Sequence, residues 1–183
     1  MLGDPSLMDE AAAEARSAGF KPVAVSYRLW DLEGAIHDAE KAARSHARTG
    51  RDVYAYGESS GGTLAALLAQ DDLVNASLAY APIAKLNRWR GARHLDSSKR
   101  ELRRASPALH PTSHRIHSLV PQSDEDIPPR YTRRWARRDS LVSALTLPGE
   151  HGFTGEDWYP ANLETAMDWL ERRASLDQAV RRR

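Results

Sequence analysis

The sequence predicts an α/β fold, a mostly parallel β-sheet with helices on both faces. Short apolar runs recur at residues 23–27, 53–56, 76–81, 116–120 and 141–147, each the length of a buried strand. Helical patterns separate them. Strands alternating with helices pair in parallel, because each crossover returns the chain to the same end of the sheet.

Each element has a local cause. Residues 8–18 are rich in Ala and Glu and stop at Gly19, which predicts a helix. Val23-Ala24-Val25-Ser26-Tyr27 reads as a strand. Asp31 is a cap for a helix that carries Leu32, Ile36, Ala39, Ala43 and Ala47 on one face and ends at Gly50. Val53–Tyr56 is the next strand, followed by a helix over 60–70 with Leu64, Leu67 and Leu68 inward. Residues 82–115 break the rhythm with Trp89, seven Lys and Arg residues from Arg90 to Arg115, and prolines. They read as a cap-like excursion over the top of the sheet, helical around 97–105. Pro128-Pro129 suits the first turn of a helix. Asn162 caps a last helix with Leu163, Ala166, Met167 and Leu170 on one face, and the tail ending Arg181-Arg182-Arg183 frays. No internal repeat or linker divides the chain, so residues 1–183 read as a single domain.

Composition narrows the function classes. With 41% apolar residues in 183, the chain can bury a core. There is no cysteine, which removes disulfides and thiolate metal sites. The net charge of +1 argues neither for nor against a polyanionic partner. No apolar run approaches the roughly 18 residues of a membrane span, and no signal peptide is visible, so a cytoplasmic, soluble protein is expected.

Gly57-Glu58-Ser59-Ser60-Gly61-Gly62 contains a G-x-S-x-G match between a strand and a helix. That context places Ser59 on a tight turn that lifts its hydroxyl above the sheet. Gly57 and Gly61 are expected to be small for steric reasons, because side chains there would collide with the neighbouring strand and helix. The Ser60 amide then faces the site as an oxyanion donor, backed by the positive end of the helix.

A serine hydroxyl is a weak nucleophile until a base takes its proton, and the base must be oriented. Of seven histidines, His37 and His46 lie in a helix before Ser59, His94, His110 and His114 in the excursion, and His117 within a strand. His151 follows strand 141–147 in a loop at its C-terminal end, where sites lie in parallel sheets. For the acid, Asp124 and Asp126 both follow strand 116–120. Asp124 is favoured because an orienting acid sits near the strand end.

On these pieces the chain resembles the α/β-hydrolase superfamily, in particular bacterial esterase and lipase-like members related to hormone-sensitive lipase, feruloyl esterases and prolyl oligopeptidase. The matching residues are Val25-Ser26-Tyr27-Arg28-Leu29, the elbow at 57–62, Ala81-Pro82, Ser123-Asp124-Glu125-Asp126-Ile127-Pro128 and His151-Gly152-Phe153. The resemblance spans about residues 3–174 and implies an α/β-hydrolase fold with Ser59, Asp124 and His151 as catalytic residues. The spacing of acid and Ile-Pro in the family selects Asp124. One departure matters. The family's His-Gly-Gly-Gly-like loop, which supplies the second oxyanion donor, has no counterpart, and Gly3-Asp4-Pro5 resembles the segment just downstream of that loop. The strand before the loop lies in the family between the equivalents of 23–27 and 53–56. Its absence leaves a gap there or forces the two to pair. Gly3 amides are a substitute donor if the N-terminus folds over Ser59.

Arg130, Arg133, Arg134, Arg137 and Arg138 recur at helical spacing opposite Tyr131 and Trp135. The preferred reading is a solvated outer face answered by nearby carboxylates, with no nucleic acid and no membrane as partner.

The expected activity is therefore ester hydrolysis of a small-molecule substrate through an acyl-enzyme on Ser59, with no metal or organic cofactor. Leu86 and Trp89 are candidates for an acyl pocket. Two alternatives stand beside it: a serine peptidase, and a truncated, weakly active or non-catalytic binding module. Apolar edges next to the absent strand make a homodimer or poor solubility an expectation.

Overall fold

A computed structural model describes residues 8–151 and 158–181, so the tail residues Arg182 and Arg183 lie outside the described part. Four strands form one parallel sheet in sequence order: β1 (Tyr54–Glu58), β2 (Ala76–Tyr80), β3 (Arg115–Pro121) and β4 (Val142–Leu147). The helices are α1 (Asp9–Ser17), α2 (Leu32–Ala47), α3 (Ser60–Gln70), α4 (Lys99–Arg104), α5 (Arg130–Ala136) and α6 (Trp158–Arg181). No helix among the described residues is long and apolar enough to cross a membrane.

Alternation along the strands builds two cores. Leu78 and Tyr80 of β2 and Leu119 of β3 face α1 and α6, where they meet Ala11, Leu163, Ala166, Met167 and Leu170. Ala79 and Ile116 point the other way, toward Ala66 and Ala69 of α3 and Trp135 of α5. The period-two pattern thus buries both faces of the sheet, as a parallel sheet with helical crossovers requires. α2 begins as predicted: the Asp31 carboxylate accepts the Gly34 N–H at 2.8 Å.

The excursion has its own small core. Ile83, Leu86, Leu102, Ala105 and Ile127 cluster, with Leu32, Ile36 and Trp89 packed against them. Short 3-10 turns (Leu86–Arg88, Arg90–His94, Pro107–Leu109) carry the chain around it. α4 opens with a reciprocal cap between Ser98 and Glu101.

Three expectations fail. Residues 23–27 are not a strand of this sheet, and Val23 and Val25 are 54% and 38% exposed. Their β-branched character is real, but β propensity forms a strand only where a neighbour supplies hydrogen bonds. They do not pair with β1, so of the two outcomes considered for an absent strand, direct pairing is ruled out. Second, Asn162 does not cap the last helix, because α6 already starts at Trp158 and Asn162 lies inside it. Third, no carboxylate lies within ion-pair distance of Arg130, Arg133, Arg134, Arg137 or Arg138 among the described residues, although Arg130, Arg134, Arg137 and Arg138 are exposed. α5 ends at Ala136, so Arg137 and Arg138 continue past it. Arg130 instead lies over the Tyr131 ring at 4.8 Å.

Candidate active site

The sharp turn between β1 and α3 comes from backbone packing. Ser59 has φ 53 and ψ −113, a conformation L-residues rarely adopt. Its N–H donates to the Tyr80 carbonyl at 2.9 Å, tying the turn to the end of β2. Its carbonyl accepts from the Thr63 N–H at 3.0 Å and the Thr63 hydroxyl at 3.1 Å. The Thr63 oxygen in turn accepts the Ile83 N–H at 2.8 Å, which fixes the start of the excursion to the elbow.

The glycines divide differently from the sequence-based expectation. A Cβ on Gly57 would stand 2.2 Å from the Gly61 carbonyl oxygen, so Gly57 is required. A Cβ on Gly61 would meet only the Tyr27 hydroxyl, at 3.6 Å, so the expected steric demand at Gly61 is absent. The demand falls on Gly62, where a Cβ would lie 2.6 Å from the Tyr80 carbonyl oxygen and 3.0 Å from that of Gly57. The reason is geometric. Gly62, not Gly61, is on the side of α3 that crosses β1 and β2.

Above this turn the structure brings Ser59, His151 and Asp124 together. His151 Nε2 lies 3.1 Å from Ser59 Oγ, and His151 Nδ1 lies 2.8 Å from Asp124 Oδ2. The Asp124 side chain is 1% exposed and that of His151 is 22% exposed. The second carboxylate oxygen accepts the Ile127 N–H at 2.7 Å. That bond fixes the carboxylate plane and explains why Asp124, not the exposed Asp126, meets the imidazole. A carboxylate accepts only, so Nδ1 carries the proton and Nε2 is left as the acceptor for the Ser59 hydroxyl. The loop carrying His151 is held by the Ser123 N–H, which donates to the Gly149 carbonyl at 2.9 Å, and Gly149 has φ 118. Gly152 and Phe153, the other two residues of the His-Gly-Phe match, lie outside the described residues.

Ser60 is the first residue of α3, so its N–H is among those with no intrahelical carbonyl to bind. It stands beside Ser59 at the positive end of an 11-residue helix. Gly3 lies outside the described residues. Leu86, considered for an acyl pocket, is 3% exposed and belongs to the excursion's core, with Trp89 packed against it.

Sequence reasoning named Tyr27 only within the Val25–Leu29 match and missed its place at the site. Its hydroxyl is 2.9 Å from Ser60 Oγ, linking the extended segment before α2 to the residue after Ser59. No local pattern signals this contact across 33 residues. It also missed Thr63 and Gly62, although the paired Gly61-Gly62 is a visible sign of crowding at the start of the helix.

No protein-family model and no curated protein matches the chain. Solved structures do. Thermogutta terrifontis esterase 2, phosphoramylated by tabun, superposes with TM-score 0.64 at 22% identity over 78% of this chain and 66% of its own. The Pyrobaculum calidifontis esterase gives 0.74 at 18% identity over 96% of this chain and 72% of its own. A puromycin-hydrolyzing peptidase of Mycobacterium tuberculosis gives 0.60 at 21% identity, over 77% of this chain but 25% of its own length. The chain thus spans about two thirds to three quarters of these esterases and a quarter of the peptidase. A parallel sheet, a strand–helix elbow and this likeness together give the chain the α/β-hydrolase fold.

Proposed function

We propose that the protein is a serine hydrolase that cleaves carboxylic esters. The observation that carries this reading is the continuous hydrogen-bonded relay from Ser59 through His151 to a buried Asp124, on a turn whose backbone is strained at the serine. The fold it shares with two esterases supports the same reading.

The chemistry follows from the atoms. Ser59 Oγ attacks the ester carbonyl while His151 Nε2 takes its proton. Asp124 holds the imidazole in the Nδ1–H tautomer and stabilises the imidazolium that forms. The Ser60 N–H donates to the oxyanion. His151 then gives the proton to the departing alkoxide, leaving an acyl group on Ser59. Water, deprotonated by His151, attacks the acyl carbon, and the carboxylate product leaves as the Ser59 hydroxyl is restored. No step needs a metal or organic cofactor.

Labelling by a fluorophosphonate, located by mass spectrometry, tests this without a chosen substrate. An adduct on Ser59 that disappears in His151→Ala supports an assembled triad, and screening of short-chain esters follows. A folded sample with no adduct overturns the enzyme reading and leaves a non-catalytic binding role. Amide cleavage is a second reading, favoured by the likeness to the puromycin-hydrolyzing peptidase. It predicts that aminoacyl amides outcompete esters of the same acyl group.

A further inference from the structure

The end of the sheet opposite Ser59 carries a cleft. It opens where the chain enters β3 and β4, and Thr112, Trp135, Arg138, Asp139 and Leu141 line it together with His110. Its volume is about 510 Å³. Ser59 lies beyond the C-terminal ends of the strands, so a seven-residue β3, at roughly 3.3 Å per residue, puts about 20 Å between the two places.

Two buried polar atoms in the lining residues have no hydrogen-bond partner: Trp135 Nε1 and Thr112 Oγ1. Trp135 is only 3% exposed. An indole N–H can only donate, and burying it unpaired costs about 1–3 kcal/mol. Such a group marks a place where an acceptor is missing. Arg138, exposed beside it, has no carboxylate within ion-pair distance among the described residues. The cleft's one carboxylate, Asp139, already accepts the Leu141 N–H at 3.0 Å. His110 is held by its Nε2 on the Arg103 carbonyl at 3.1 Å. Ala108, Leu109, Pro111 and Leu141 supply an apolar wall, with the polar Ser140 beside it.

We propose that this cleft binds an organic carboxylate. The carboxylate takes the Trp135 and Thr112 donors and pairs with Arg138, while its hydrocarbon body lies on the apolar wall. A guanidinium with two neutral donors matches the two oxygens of a carboxylate, and such charge-assisted bonds are the strong ones. The site is separate from the Ser59 relay and does not depend on the function proposed for it.

The test is a titration of the full chain, labelled with ¹⁵N-tryptophan, with sodium benzoate at constant ionic strength. Benzyl alcohol serves as the neutral analogue. A saturable shift of the Trp135 indole N–H resonance is expected. Arg138→Gln and Thr112→Val should each weaken binding, the first by about tenfold, and Ser59→Ala should leave it unchanged. Both substitutions lie on partly or fully exposed residues, so folding is retained and is checked by circular dichroism. The proposal is overturned by an unmoved Trp135 resonance, by equal binding of benzyl alcohol, by undiminished affinity in Arg138→Gln, or by loss of binding in Ser59→Ala, which would place benzoate at the other site.

Discussion

Substituting alanine at each of the three elbow glycines separates steric demand from sequence pattern. In Gly57→Ala the new Cβ would stand 2.2 Å from the Gly61 carbonyl oxygen and 2.3 Å from its carbon. Ordinary contact between carbon atoms needs about 3.5 Å, so the turn must open by more than 1 Å. Both obstacles are backbone, and no side chain can rotate away. Overpacking typically costs about 1–3 kcal/mol, and an obstacle of this kind belongs at or above the upper end. A shift of about 1 Å in Ser59 is also expected to lower its labelling rate about 100-fold. Gly62→Ala meets the Tyr80 carbonyl oxygen at 2.6 Å and should behave similarly. Gly61→Ala meets only the Tyr27 hydroxyl at 3.6 Å, and alanine is favoured over glycine in a helix by up to about 1 kcal/mol. Its stability should equal or exceed the parent's. Urea unfolding followed by circular dichroism gives the three stabilities, and the rate of fluorophosphonate labelling gives the state of Ser59. A Gly57→Ala protein within about 1 kcal/mol of the parent, or a Gly61→Ala protein as unstable as Gly57→Ala, would refute the steric argument.

Asp124→Asn should leave the fold intact but lower the labelling rate by about 10⁴, because the amide no longer enforces the Nδ1–H tautomer of His151; pre-steady-state labelling measures it. Tyr27→Phe removes the contact to Ser60 Oγ and should cost about 1 kcal/mol in unfolding free energy, read from the urea midpoint. His117 stacks on Trp169 at 5.0 Å, and burial, with a smaller push from Arg172, lowers its pKa to about 4. The unfolded chain takes up this proton near pH 6.5 and the folded chain only near pH 4, so this group has no effect above pH 6.5. Stability should fall between those values and level off below them. With an allowance for partial exposure the loss is about 1–2 kcal/mol, and His117→Gln should abolish it when urea midpoints at about pH 7 and about pH 4.5 are compared.

Reading a sequence captures what neighbours along the chain decide. The elbow, the Asp31 cap and the buried stripe Leu163, Ala166, Met167 and Leu170 are all legible, because each depends on spacing within one element. Residues 23–27 mislead because a strand is a property of two segments, and their own pattern describes only one of them. The same holds for Gly61 and Gly62: the pattern shows two adjacent glycines, but only the crossing of α3 over β1 and β2 says which must stay small. For the arginines after Pro129, spacing places them on a helix face but carries no information on whether carboxylates from other elements reach them. Tyr27 stands within the Val25–Leu29 match, but nothing local signals its contact with Ser60, which lies 33 residues away. Where Asp124 and Asp126 compete, the bond to the Ile127 N–H separates them, and that is a tertiary fact with a short sequence separation.

Positive φ recurs at the strand exits, apart from Gly19 and Gly50, which follow α1 and α2. Ser59 at 53° follows β1, Ala81 at 42° follows β2, Gly149 at 118° follows β4, and Trp30 at 68° follows the extended segment before α2. Ser59, Ala81 and Gly149 lie where the chain leaves one end of the sheet, Trp30 lies just before α2, and three of the four are not glycine. Asp72, at 58° in the turn after α3, is the one other non-glycine of this kind among the described residues. Each such non-glycine residue costs on the order of 1–3 kcal/mol and persists only while its surroundings hold it. The molecule therefore concentrates its tension in the rim that carries Ser59 and leaves the buried strands relaxed. Heat should release that rim first. An activity–temperature curve is then expected to collapse several degrees below the circular dichroism melt, with the sheet still formed after the nucleophile has lost its aim.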